Sequence, residues 1–297
     1  MPNQIASEIK NTLLTCKYYH ASNASQDAWY LLQKLTGKNK AQLLTETIIN
    51  LTPTQKRTLS KWLKLITKDN KPIQYILGSI PFCNVEILLK PPILIPRPET
   101  EYICDWIINK LKKINLQNLQ ILDLCSGTGC IGLAIAKEFK NYQITCTDIN
   151  PKAISLIKKN AIHNKIKNVI IIKSDLFEKL KNKKYDIIIS NPPYISEKEW
   201  QNLDKNITLW EDKNALVANQ NGLFIIKKII KNAPFHIKNN DYLLKNKTPQ
   251  IILEIGQDQG KEIIKIIQSE KTLIAKICKD LQKNDRWVAI SSKKSFF

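Results

Sequence analysis

The sequence predicts an α/β protein: a doubly wound, seven-stranded sheet domain preceded by a small all-helical amino-terminal domain and a β-hairpin linker. Three observations carry this. After Leu119 short apolar, β-branched runs alternate with helical patterns, as in a parallel sheet covered by helices. The first 70 or so residues read as helices only. Between them, prolines, Gly78 and the short alternation Val85, Ile87, Leu89 read as a hairpin joining two domains. The expected boundaries are 1–71 for the helical domain, 72–97 for the linker and 98–297 for the sheet domain.

In chain order, Ile5, Ile9 and Leu13 share one helical face. Ser25 is expected to cap a helix whose apolar side is Ala28, Leu31, Leu32 and Leu35, closed by Gly37. A third helix is expected over Ala41 to Asn50. Thr52 and Gln55 have the spacing of a capping box, with Pro53 at the first helical position ahead of Leu59, Trp62, Leu63 and Ile66. Nothing in this region looks catalytic. A helix should begin at the run Arg97-Pro98-Glu99-Thr100-Glu101, burying Ile103, Trp106, Ile107 and Leu111. Strands are expected at Ile121–Leu124, Gln143–Thr147, Val169–Lys173, Asp186–Ser190, Gln250–Glu254, Leu273–Cys278 and Trp287–Ile290. The stretch from Ser196 to Asn221 has weak periodicity and reads as a lid or binding loop.

Composition narrows the function classes. The 297 residues are 43% hydrophobic, and lysines interrupt every isoleucine-rich run well short of the roughly 18 apolar residues of a membrane span. The amino terminus has neither a signal core nor an arginine-rich amphipathic stretch, which points to the cytoplasm, with the mitochondrial matrix or another organelle as the alternative. Seven scattered cysteines without a Cys-x-x-Cys pair, and three histidines, argue against a metal site. The charge of +20 is spread evenly as lysine, which fits compositional drift better than a nucleic-acid-binding patch. Only Arg57, Arg97 and Arg286 are arginines. Arg97, just before its helix, suits either an ion pair with Glu99 or Glu101 or a fork for a ligand carboxylate.

Two strand ends carry the chemistry. The run Ser190-Asn191-Pro192-Pro193-Tyr194 follows Ile187-Ile188-Ile189, placing Asn191 at the carboxyl end of a buried strand, the edge where α/β sheets bind ligands. Proline fixes φ and holds the residue before it extended, so Asn191 and Pro192 should present two acceptors, suited to an –NH₂ group. Tyr194 adds a flat face for a planar group. The first sheet strand runs into Asp123-Leu124-Cys125-Ser126-Gly127-Thr128-Gly129, a small-residue loop before a helix. The next strand ends at Asp148, placed to accept from ribose hydroxyls, and a third near Asp175 and Leu176, beside an adenine. The loop lacks Gly-x-Gly-x-x-Gly spacing and a Gly-Lys-Ser/Thr loop, and an acid at Asp123 suits a cationic ligand. S-adenosylmethionine meets these demands: its ammonium can meet an acid, and its carboxylate can meet Arg97 or the helix end at Thr100. With an amine-holding turn one strand away, the expected chemistry is methyl transfer to nitrogen.

On these motifs, with Ser174-Asp175-Leu176-Phe177 and Leu253-Glu254-Ile255-Gly256, the chain resembles the peptide chain release factor glutamine N5-methyltransferases along nearly its whole length. The resemblance implies a Rossmann-like methyltransferase domain behind a helical substrate-recognition domain. It implies transfer from S-adenosylmethionine to the side-chain amide of the glutamine in a release factor's Gly-Gly-Gln motif. Asn191, Pro192, Pro193 and Tyr194 would hold that amide, and Asn191, Pro192 and Tyr194 would be the catalytic set. The cofactor set would be Arg97, Thr100, Asp123, Cys125, Ser126, Gly127, Thr128, Gly129, Asp148, Asp175, Leu176 and Asn191. The expected partner is a release factor, with no membrane, no required nucleic acid and a monomeric enzyme. Two departures stand out: Cys125 replaces the usual first glycine of the loop, and 217–222 is a looser version of a Gly-rich stretch. The rivals are an adenine-N6 methyltransferase flipping a base into the same turn, and a cofactor-binding module without turnover.

Overall fold

The computed structural model describes residues 3–292 apart from 17, 18, 20, 47 and 115. The chain divides into two compact units: residues up to Ser79 with Leu203–Trp210, and Ile80–Asn202 with Glu211 onward.

The first unit is helical. Helices Asn3–Leu13, Ala21–Thr36, Lys40–Thr45, Pro53–Thr67 and Ile73–Leu77 gather Ile9, Leu13, Leu31, Leu32, Leu43 and Ile66 into one core. Thr52 and Gln55 make both halves of the expected capping box. The second helix starts at Ala21 rather than at a Ser25 cap, so Ser25 lies within it, and Gly37 closes it at φ 73°. The third helix ends at Thr45, and its cap is Asn39, whose side chain accepts from Gln42 N while Gln42 reaches back. Trp210 is tied here by its indole N–H, which donates to Asp69 O at 2.8 Å.

The hairpin is smaller than expected: only β1 (Ser79–Phe82) and β2 (Val85–Leu88) pair, and Ile73–Leu77 ahead of them is helical. Asn160 and Asn164 hold β2, accepting from Leu88 N and Glu86 N.

The seven further strands are β3 (Gln120–Leu124), β4 (Gln143–Asp148), β5 (Val169–Lys173), β6 (Ile187–Ser190), β7 (Ile251–Glu254), β8 (Leu273–Lys279) and β9 (Asp285–Ser292), in the order β5-β4-β3-β6-β7-β9-β8. The first five are parallel; β9 runs antiparallel to β7, and β8 antiparallel to β9. The expected doubly wound sheet is thus parallel over five strands and antiparallel at its last two. Only five residues separate β8 from β9, room for a hairpin turn and not for a crossover. Leu122, Leu124, Ile188 and Leu253 bury one sheet face with Ile226, Ile230 and Ile263 from the covering helices. The strand order turns back between β3 and β6, which opens the crevice that ligands of such sheets use.

Candidate functional site

At the switch point Leu124 of β3 pairs with Ser190 of β6, and the Ser190 hydroxyl donates to the Leu124 carbonyl at 2.6 Å. Cys125 and Asn191 therefore leave the sheet side by side. A cavity of about 790 Å³ opens there, and its walls include Cys125, Gly127, Asp148, Asp175, Leu176 and Asn191.

The loop after β3 is built from within. Cys125 has φ 59°, so a residue with a side chain takes the left-handed backbone that glycine adopts freely. Burial pushes its thiol up, out of reach of ionisation. Ser126 donates its hydroxyl to Asp123 O at 2.7 Å and accepts through its carbonyl from Gly129 N at 2.7 Å. Thr128 is 2% exposed, and its carbonyl accepts from Asn160 Nδ2. Ser126, Thr128 and Gly129 thus shape the loop without lining the cavity. Asp148 stands at the wall: Oδ2 accepts from Gly127 N at 2.9 Å and Oδ1 from Asn150 N at 2.8 Å, while burial raises its pKa. Ser174 donates to Leu176 O at 2.9 Å and so holds the third strand end.

Asp123 is not where the sequence reading put it. Its carboxylate does not line the cavity but lies under the first turn of helix Cys130–Glu138, where Oδ2 accepts from Gly132 N at 2.9 Å. The contact is close because position 132 has no side chain; a Cβ there would meet Asp123 Oδ2 at 3.0 Å. Oδ1 has no hydrogen-bond partner among the described residues, and burial pushes the carboxyl up to about 7.

On the β6 side, Asn191 Nδ2 donates to Thr100 Oγ1 at 3.0 Å, and its Oδ1 has no partner among the described residues. Thr100 Oγ1 donates to Glu254 Oε2 at 2.7 Å, and the Tyr194 hydroxyl to Glu254 Oε1 at 3.1 Å. Glu254, 2% exposed at the end of β7, is pushed up to about 7 by burial. Burial and the adjacent Glu254 likewise raise Tyr194. Pro193 lines the cavity; Pro192 is buried, and the Tyr194 ring packs against the sheet core instead of lining the cavity. Glu254 is not among the residues expected at the site, though it bonds to both Thr100 and Tyr194. The signal available was an acid ending the wholly apolar run Ile251-Ile252-Leu253.

Arg97 pairs with neither Glu99 nor Glu101. Its Nη2 meets Glu211 Oε2 at 2.6 Å, while Glu101 accepts from Cys83 N. The Glu211 side chain is 1% exposed, and burial raises its pKa despite the guanidinium. The segment expected as a single loop holds helices Glu197–Trp200 and Lys205–Thr208. Its later part, Asp212 and Val217 to Asn219, lines the cavity.

Two family models match: "PrmC N-terminal domain" over residues 17–78 and "Methyltransferase small domain" over residues 104–228. The chain is 38% identical to the release factor glutamine methyltransferase of Fusobacterium nucleatum over 91% of this chain and 74% of that one. It is 35% identical to the release factor glutamine methyltransferase of Thermodesulfovibrio yellowstonii over 86% of this chain and 88% of that one. Among solved structures, the hMettl16 catalytic domain in complex with a MAT2A 3′UTR hairpin is similar in fold, with TM-score 0.52, 15% identity, and 89% and 90% of the two chains covered.

Proposed function

This chain belongs to the release factor glutamine methyltransferases, and from that premise we propose that its switch-point cavity seats S-adenosylmethionine against Asn191, which holds the acceptor glutamine amide. The reaction is transfer of a methyl group to the side-chain amide nitrogen (N5) of the glutamine in a release factor's Gly-Gly-Gln motif; the adenine-N6 alternative is not favoured by these relatives.

The residues present fit the cofactor. Gly127 has φ 56° and open space where a Cβ would stand, so backbone can approach a ligand there. Asp148 and Asp175 supply acceptors for hydroxyl and amino groups, and Leu124, Ile149 and Leu176 supply apolar wall. Bound there, S-adenosylmethionine supplies an electrophilic sulfonium methyl. Ser126, Thr128, Gly129 and Asp123 serve by shaping the loop. Arg97 and Thr100 serve through Glu211 and Asn191 respectively.

An amide nitrogen is a weak nucleophile because its lone pair is shared with the carbonyl. Asn191 Oδ1 and the Pro192 carbonyl accept its two N–H bonds, and Pro193 and Tyr194 keep the turn rigid. This fixes the nitrogen in line for attack and stabilises positive charge growing on it; such positioning contributes up to roughly 7–11 kcal/mol in ideal cases. No base is needed beforehand, since the proton leaves after transfer. The helical unit selects the release factor, and the enzyme acts as a monomer in the cytoplasm.

The observation that carries the reading is the unpartnered Asn191 Oδ1 at a cavity wall beside the loop after β3. Radiolabelled S-adenosylmethionine offered with a release factor, and separately with DNA or RNA, tests it. Label is expected in the release factor and lost when its glutamine is replaced by alanine; label in nucleic acid alone overturns it.

A further inference from the structure

Thr100, Glu254, Tyr194 and Asn191 form one hydrogen-bonded chain behind the acceptor turn. Its polarity has a consequence for the reaction. A carboxylate only accepts, so Glu254 takes the Tyr194 proton on Oε1 and the Thr100 proton on Oε2. A threonine hydroxyl has one proton, and here it is spent on Glu254. Toward Asn191, Thr100 can therefore only accept, which draws the –NH₂ end of the amide to it and turns Oδ1 to the cavity.

We propose that Glu254, acting through the Thr100 hydroxyl, is the positioning residue that sets which end of the Asn191 amide faces the substrate. The proposal rests on the reading of Asn191 as the acceptor for the glutamine amide. A proton on Glu254 Oε2 reverses the chain: Oε2–H donates to Thr100, the Thr100 proton turns to Asn191, and Oδ1 follows it. The cavity then meets an –NH₂ group, and two donors oppose two donors.

The reversal falls in an accessible range. Burial pushes Glu254 up to about 7 against the hydrogen bonds from Thr100 and Tyr194 and the nearby Arg286, with Glu99 adding to the rise. Arg97 and Arg286 act in turn on Tyr194. Glu254→Gln removes the acceptor-only partner and permits the reversed state without a proton, since its Nε2 can donate to Thr100 at any pH. Thr100→Val removes the relay while keeping its shape, and Thr100→Ser restores the hydroxyl.

The test is release-factor methylation from about pH 5.5 to 8.5 for these variants, with cofactor affinity by calorimetry as the control for folding. Wild-type kcat is expected to fall on the acid side with an apparent pKa near 7. E254Q is expected to lie about 100-fold below the wild-type kcat of the alkaline plateau and to show no acid limb, with cofactor affinity within about threefold. T100V is expected to lose about tenfold and the acid limb with it, and T100S to recover most of both. E254Q at wild-type kcat, a flat wild-type profile, T100V retaining the limb, or T100S as impaired as T100V would each overturn the proposal. If a variant fails to bind cofactor, the wild-type profile and the remaining variants decide. The NMR signal of the Asn191 side-chain amide, assigned by its loss in N191D, reads the same reversal without turnover. It should titrate near 7 in the wild type and stay fixed in T100V. An amide that titrates in an enzyme giving no transfer to release factor contradicts the assigned activity alone; a fixed amide contradicts the relay.

Discussion

Gly222 lies so close to Tyr194 that a Cβ at position 222 would stand 1.9 Å from the Tyr194 carbonyl oxygen. Gln259 Nε2 donates to that same carbonyl at 2.8 Å, and φ at Gly222 is +81°. The backbone there is both crowded and left-handed. Gly222→Ala must push the acceptor turn aside, a cost of about 2–4 kcal/mol from overpacking and backbone strain together. The expected outcome is a lowered Tm by calorimetry and a reduced kcat on release factor.

Cys125 tests the opposite case, a side chain tolerated where glycine is usual. At φ 59° it carries about 1–2 kcal/mol of backbone strain. Cys125→Gly relieves that strain and is expected to bind S-adenosylmethionine within about threefold of wild type, because little but strain and one small side chain changes. Cys125→Val, β-branched at positive φ, is expected to weaken binding by more than about tenfold in titration calorimetry.

Arg97 and Glu211 form a pair with one half-buried and one fully buried partner: the Arg97 side chain is 31% exposed and that of Glu211 1%. Arg97→Ala leaves a buried carboxylate alone, which costs about 3–5 kcal/mol. Adding Glu211→Gln should recover most of the loss in denaturant unfolding, since the neutral amide needs no counter-charge. A double variant as unstable as R97A would show that the guanidinium acts through other contacts.

Asp123 and Glu254 give the fold a characteristic pH dependence. Both are pushed up to about 7 from the ordinary carboxyl values of 3.8 and 4.5. The folded state therefore holds protons that the unfolded chain releases as pH rises through the lower values. Stability should fall as pH climbs from about 4.5 to 7 and level off above, the reverse of an acid held in an ion pair. Melting temperature followed across that window should decline in wild type and decline less in Asp123→Asn. An equal decline in both would remove Asp123 as a cause.

Much of this arrangement is legible in the sequence because it is local. Val169–Lys173 is the strand expected, the Thr52–Gln55 box closes as its spacing demands, and Cys125 and Asn191 emerge from neighbouring strands. What escapes reading is pairing at long range. Thr100 and Glu254 are 154 positions apart, and Arg97 and Glu211 are 114 apart. Arg97 has acids two and four residues away that look like partners, and only folding brings the buried third. Asp123 misleads for a different reason. Its strand end is right, but its side chain points under the helix, where the missing Cβ of Gly132 makes room. The grouping of Leu203–Trp210 with the helical unit leaves no mark in periodicity, since Trp210 is held there through a backbone carbonyl.

The central claim is that Asn191 holds the acceptor nitrogen and contributes little to cofactor affinity. Single-turnover methylation of a release factor by Asn191→Ala, beside calorimetric titration of the same variant with S-adenosylmethionine, tests it most directly. The account predicts transfer reduced by about 100-fold or more with cofactor affinity within about threefold. Transfer at the wild-type rate, or a loss fully explained by failed cofactor binding, would contradict it.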